Sequence, residues 1–227
     1  MSNLETSATQ REVKDEAGDR AKHLSFVAHE IRNPLATALW SAELLGRLSA
    51  EERGGPRGEK LAKMALRAVG RVRRLLEDHL LAERLDVSGV PVSLESVAVK
   101  DLLSEAPLTI GVSAISVDLE EGLAATADAQ LARRALEALV LVAGRGNATV
   151  RVSGRRVGEV ARLEVAGAPV APGDLADRRP GDPDDLGPGC LGLGMARRVA
   201  LALRGSLRVE EGAFILDLPV AEGRPPG

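Results

Sequence analysis

The stretch Phe26-Val27-Ala28-His29-Glu30-Ile31-Arg32-Asn33-Pro34-Leu35 sets one histidine, followed at once by a carboxylate, inside a long amphipathic pattern. Apolar residues recur at Leu24, Val27, Ile31, Leu35, Ala38, Ala42 and Leu45. Steps of three and four residues mark one buried face of a helix. At about 100° per residue His29 falls about 200° around from Val27, so the spacing predicts an imidazole that points to solvent. An exposed imidazole on a rigid helix can enter the active site of a partner protein. Glu30 can orient the ring or take its proton, and Asn33 lies one turn further along the same face. Pro34 removes a backbone donor and predicts a bend just below the histidine.

Working outward, the first helix is expected from near Arg11 to Ser49. The cluster from Ala50 to Gly58, with Gly54, Gly55 and Pro56, is expected to be a turn that stops it. A second helix follows from about Glu59 to Leu85, with apolar positions Leu61, Ala65, Ala68, Val72, Leu75, Leu76 and Leu80. Two such helices joined by a short loop make an antiparallel hairpin. One hairpin leaves an apolar face wet, whereas two copies bury both faces in a four-helix bundle, so a homodimer is expected. His79 lies close to the apolar stripe and reads as a core or boundary residue, and His23 as a solvated or dimer-face residue.

After a linker with Gly89 and Pro91 the pattern changes. Strands are expected at Val90–Leu94, Ile115–Leu119, Thr149–Gly154, Glu159–Val165, Ser206–Glu210 and Ala213–Leu218. Helices are expected at Val99–Glu105, Asp128–Val142 and Met195–Leu203. Strands mixed with helices at irregular spacing predict an α+β layer, with helices on one face of a mixed sheet.

Composition narrows the function. Aromatic residues make up only 1% of the chain, so aliphatic and alanine packing must build the core. With 30 basic and 33 acidic residues, the net charge of -3 gives no electrostatic footprint for nucleic acid. The single cysteine, Cys190, excludes an intrachain disulfide, and the histidines have no zinc-ligand spacing, so no metal site is expected. The N-terminus has no apolar signal region and no apolar run reaches the roughly 20 residues of a membrane span. A soluble cytoplasmic protein is expected, with no membrane partner and no room for a sensing module ahead of the first helix.

The His-Glu-x-x-Asn-Pro-Leu string from His29 to Leu35 resembles the H-box of the sensor histidine kinases of two-component signalling. The resemblance runs from about Ala21 to Val220. It implies an α+β chain: a dimeric four-helix-bundle hairpin followed by an α/β sandwich like the histidine kinase ATP-binding domain. The divisions are a polar segment at 1–20, a dimerisation and phosphotransfer hairpin at 21–87, an ATPase-like domain at 92–220 and a tail at 221–227. The resemblance makes His29 the phosphoacceptor, Glu30 the adjacent acid/base and Asn33 the residue that positions water during dephosphorylation of a response regulator. The partner it implies is the receiver domain of a response regulator.

The family's nucleotide site is only partly present. The two asparagines expected on the first long helix of the ATP domain are Ala138 and Val142, and valine cannot ligate magnesium, which takes oxygen. Glu137 keeps an acid next to that box, Arg145 stands for a basic residue that follows it, and Asn147 comes too late to substitute. The adenine-binding aspartate is Val165, and the second glycine of that box is Pro169. Gly167 survives, as do Gly189, Gly192 and Gly194 ahead of a helix, a vestigial phosphate cradle or else tight packing turns. The acidic segment Gly173 to Gly187 is short for an ATP lid. No cofactor is therefore expected, and magnesium-ATP only if the chain is a kinase. The reading favoured by these residues is a histidine phosphotransferase. The alternatives are an active ATP-dependent histidine kinase and a non-enzymatic dimeric regulator of a kinase or response regulator.

Overall fold

A computed structural model describes residues 2–87, 90–104, 114–147, 149–170 and 190–221, with side chains left undescribed at 2–23, 104, 147 and 190. His23, Glu105, the Gly89 of the linker, the Gly173 to Gly187 segment, Gly189 and nearly all of the tail lie outside the described residues or side chains. The described residues divide into two compact units that part between Glu77 and Asp78.

The first unit is helical. Helix α1 spans Ser2–Arg47, starting earlier than Arg11 and running through Pro34. The proline supplies no N–H to the carbonyl one turn before it. Two hydroxyls tie to backbone below it: Thr37 Oγ1 donates to the Asn33 carbonyl at 3.1 Å, and Ser41 Oγ to the Thr37 carbonyl at 2.7 Å. The expected turn contains a short helix, α2 (Ala50–Gly54). Ser49 caps it, with its side chain bonded to the Glu52 N–H and the Glu52 carboxylate returning to the Ser49 N–H. This reciprocal pair satisfies two backbone donors that a helix start otherwise leaves open. Helix α3 (Pro56–Val87) begins on a proline, which suits a first turn.

The second unit is α+β. Its elements are β1 (Glu95–Ala98), α4 (Val99–Ser104), β2 (Ile115–Leu119), β3 (Ala124–Ala127), α5 (Ala129–Ala143), β4 (Val150–Val157), β5 (Val160–Ala166), α6 (Cys190–Ala202), β6 (Ser206–Glu210) and β7 (Ala213–Pro219). Among the described residues the main sheet has the order β2-β4-β5-β7-β6, with β2 parallel to β4 and the other neighbours antiparallel. A two-stranded ribbon pairs β1 with β3. The strand expected at Val90–Leu94 is displaced to Glu95–Ala98, and β3 was not expected at all. Helix α6 begins at Cys190, before the expected Met195.

Alternation decides the sheet's faces. Val152, Leu163, Val165, Phe214, Leu216 and Leu218 point into the core with Leu136, Leu139 and Val199 of the helices, all essentially without exposure. The opposite face carries charge. Asp217 on β7 accepts from Arg162 Nε at 2.9 Å and Nη2 at 3.1 Å, and from Arg208 Nη1 at 2.6 Å. Burial works to raise the Asp217 carboxyl, but the hydrogen bonds from Arg162 and Arg208 outweigh it and hold the group below the usual aspartate value.

Candidate functional site

Two apolar arcs explain where α1 puts the candidate residues His29, Glu30 and Asn33. Phe26, Val27, Pro34 and Ala38 are buried, together with Glu30 and Ser41, while α3 buries Leu61, Ala68 and Leu75. A second arc stays open: Leu24, Leu35 and Leu39 on α1, and Leu66, Val69, Leu76 and Leu80 on α3. The stripe read from the sequence merged these arcs into one face.

The merger shifts the expected surroundings of the histidine. His29 is half-buried rather than open, and Asn33, about 40° further round the helix, is exposed. Glu30 is only 7% exposed, and its Oε2 has no hydrogen-bond partner among the described residues. Burying a carboxylate without a partner is costly, and such groups concentrate where a protein needs them for work other than packing. His79 is half-buried, at the edge of the stripe.

Helix α5 is started by Asp128, whose carboxylate accepts from the N–H groups of Gln130 at 3.0 Å and Leu131 at 3.1 Å. On its inner face Ala138 and Val142 join the core. Val165 of β5 pairs with Val152 and with Phe214 and has no exposure. Neither valine has an oxygen to offer a magnesium ion or an adenine amino group. Arg145 follows the helix with its Nη2 buried and unpartnered among the described residues.

The surviving glycines have a packing explanation. A Cβ on Gly167 would stand 2.3 Å from the Ala143 carbonyl oxygen, the acceptor of the Ala168 N–H at 2.6 Å. Strand β5 thus leaves the sheet pressed against the end of α5, at a separation only glycine allows. A Cβ on Gly192 would lie 3.2 Å from the Ala138 Cβ and 3.6 Å from Asp78 Oδ2. Small residues at 138 and 192 let α5 and α6 approach closely. Gly194 is different, since its nearest neighbour would be Nη1 at the far end of the Arg198 side chain, at 3.3 Å. At 138, 142 and 165 the structure places small or apolar side chains of the core.

Sequence reasoning missed Asp78 and Arg134. Asp78 is 5% exposed, and its Oδ1 accepts from Arg134 Nε at 2.9 Å. The signal was available, because Asp78 continues the buried series Leu61, Ala68, Leu75 at helical spacing. No group of three or more His, Cys, Asp or Glu able to hold a metal ion occurs among the described residues, and no described helix is long and apolar enough to cross a membrane.

Comparison with known proteins agrees with this geometry. Residues 19–87 match the His Kinase A (phospho-acceptor) domain. No curated protein matches the chain. Among solved structures, the histidine kinase AdeS of Acinetobacter baumannii is similar with TM-score 0.58 and 19% identity, over 86% of this chain and 98% of that one. The histidine kinase ThkA, solved in complex with the response regulator protein TrrA, gives TM-score 0.57 and 18% identity over 97% of this chain and 68% of that one. Full-length ShkA in complex with AMPPNP gives TM-score 0.54 and 23% identity over 89% of this chain, which spans 46% of that one. At these identities the structures speak for the fold alone. Residues 19–87 thus match a phospho-acceptor domain, and the chain as a whole shares its fold with solved histidine kinases.

Proposed function

We propose that the protein is a dimeric histidine phosphotransferase whose His29 takes a phosphoryl group from, or gives it to, the aspartate of a response-regulator receiver domain, with weak or no binding of ATP. The observation that carries this reading is the contrast between its two halves. The stretch around His29 matches a phospho-acceptor domain, whereas Val142 and Val165, which the resemblance sets at the magnesium-ligand and adenine-acceptor positions, are buried core side chains. Dimerisation is supported by the open arc from Leu24 to Leu39 and from Leu66 to Leu80. Each such side chain gains about 1.5–3 kcal/mol when fully taken from water.

In the transfer, a ring nitrogen of His29 attacks the phosphorus of the aspartyl phosphate. The P–N bond forms as the bond from phosphorus to the aspartate oxygen breaks, and the carboxylate leaves. The receiver supplies the magnesium that offsets the charge of the transferring group. Glu30 orients the ring and holds the proton of the other nitrogen. Asn33, exposed one turn away, is placed to hold water when the receiver is dephosphorylated. The test is to mix the protein with a phosphorylated receiver and follow label on a gel. His29→Ala is expected to abolish transfer with the dimer intact, and Glu30→Ala to slow it. Transfer at full rate to His29→Ala would refute the assignment.

A further inference from the structure

We infer that Asp78 and Arg134 form a latch that makes the closing stretch of α3 an integral part of the α/β unit, so that bending α3 and displacing that unit are one event. The division between the two units falls at Glu77/Asp78, inside the continuous helix Pro56–Val87. Beyond it, Leu81, Ala82 and Leu85 pack against the core of the α/β unit. Asp78 is the buried point of this contact. Its Oδ1 accepts from Arg134 of α5 at 2.9 Å, and Oδ2 faces Gly192 of α6, where a Cβ would come within 3.6 Å. Three helices therefore meet on one carboxylate. Further along, Asp86 accepts from Arg198 Nε at 2.7 and 2.8 Å, but on the exposed surface.

The two pairs are unequal. The arginines are alike, at 29% and 31% exposed, but the Asp78 side chain is 7% exposed and that of Asp86 46%. A carboxylate held away from water depends on its charged partner, whereas an exposed one gains little from it. Asp78 thus does the holding and Asp86 assists. The sequence places a linker at Gly89 and Pro91, but that point lies beyond the fastened stretch. A pivot for the α/β unit falls at or before Glu77, within the helix that also carries Leu75 and Leu76 of the hairpin. A ligand or protein that moves the α/β unit acts on the hairpin through α3 directly. This inference does not depend on which donor phosphorylates His29.

Hydrogen exchange on the full-length protein tests it. In the wild type, amides 79–87 are expected to exchange as slowly as those of α5, and exchange at the rate of a frayed helix end would overturn the latch. Asp78→Asn and Arg134→Gln are each expected to speed exchange of 79–87 by about tenfold or more, with α5 and β4–β7 still protected. The double variant is expected to lose less than the two single losses combined, because the pair's interaction is removed only once. Asp86→Asn, on the exposed pair, keeps the fold and is expected to change exchange by less than about threefold. An effect of Asp86→Asn equal to that of Asp78→Asn, or fully additive losses in the double variant, would overturn the role given to Asp78.

Discussion

Replacing Gly167 with alanine tests whether the remaining glycines serve packing rather than phosphate. The new Cβ would stand 2.3 Å from the Ala143 carbonyl oxygen, 3.0 Å from its carbon and 3.2 Å from the Ala143 Cβ. An ordinary carbon–oxygen contact is about 3.2 Å, so the overlap is close to 1 Å. The obstructing atoms are backbone and cannot rotate aside. The end of β5 must move off α5, which strains the Ala168 N–H bond to Ala143. Overpacking costs about 1–3 kcal/mol and a lost hydrogen bond about 0.5–1.5, so the sum is about 1.5–4.5 kcal/mol. For a chain of this size that lowers the melting temperature by roughly 3–18 °C. Denaturant and thermal melts of the full chain, without nucleotide, measure it. Gly194→Ala is the control. It meets only the end of Arg198 and adds a better helix former inside α6, so it should be neutral or stabilising by up to about 1 kcal/mol. A Gly167→Ala protein within about 0.5 kcal/mol of wild type, or equal effects at both positions, would refute the packing account.

Changing Leu66 or Leu76 to glutamate should dissociate the dimer in sedimentation at micromolar concentration, because each lies on the open arc of α3 and the charge would be buried between copies. Both variants remaining dimeric would place the interface elsewhere. The Asp217 cluster contributes stability that is present above the unfolded aspartate pKa of about 3.9 and lost as pH falls through the lower folded value. Asp217→Asn should therefore destabilise at neutral pH and flatten the acid limb of the stability curve below about pH 4. Calorimetric titration with magnesium-ATP should give weak binding or none, and installing Val142→Asn with Val165→Asp should not restore activity while Pro169 remains.

Much of this fold was legible because its long elements are strongly periodic. The strands Ile115–Leu119 and Ser206–Glu210 fall where alternation placed them. What escaped did so for physical reasons. Strand β3 is Ala-Ala-Thr-Ala, with almost no β-forming signal, and exists through its pairing with β1. Val90, Val92 and Leu94 alternate like a strand, yet the backbone partner of β3 begins at Glu95. Helix α6 absorbs Gly192 and Gly194, which propensity alone would exclude, and only at Gly192 does close approach to α5 favour the small residue. The cap of α2 was readable as Ser49-x-x-Glu52 but was hidden among turn residues. The motif points to His29 and Asn33. It does not show the burial of Glu30, because the hairpin's inner face and its open apolar arc read as one stripe.

The most direct test offers the same purified protein two phosphoryl donors in parallel, radiolabelled magnesium-ATP and a labelled phospho-receiver, and then maps the label. The account predicts label on His29 from the receiver, none from ATP, and none from either donor in His29→Ala. Rapid labelling of His29 from ATP would contradict it and establish an active kinase working through a nucleotide site built without Asn at 142 or Asp at 165.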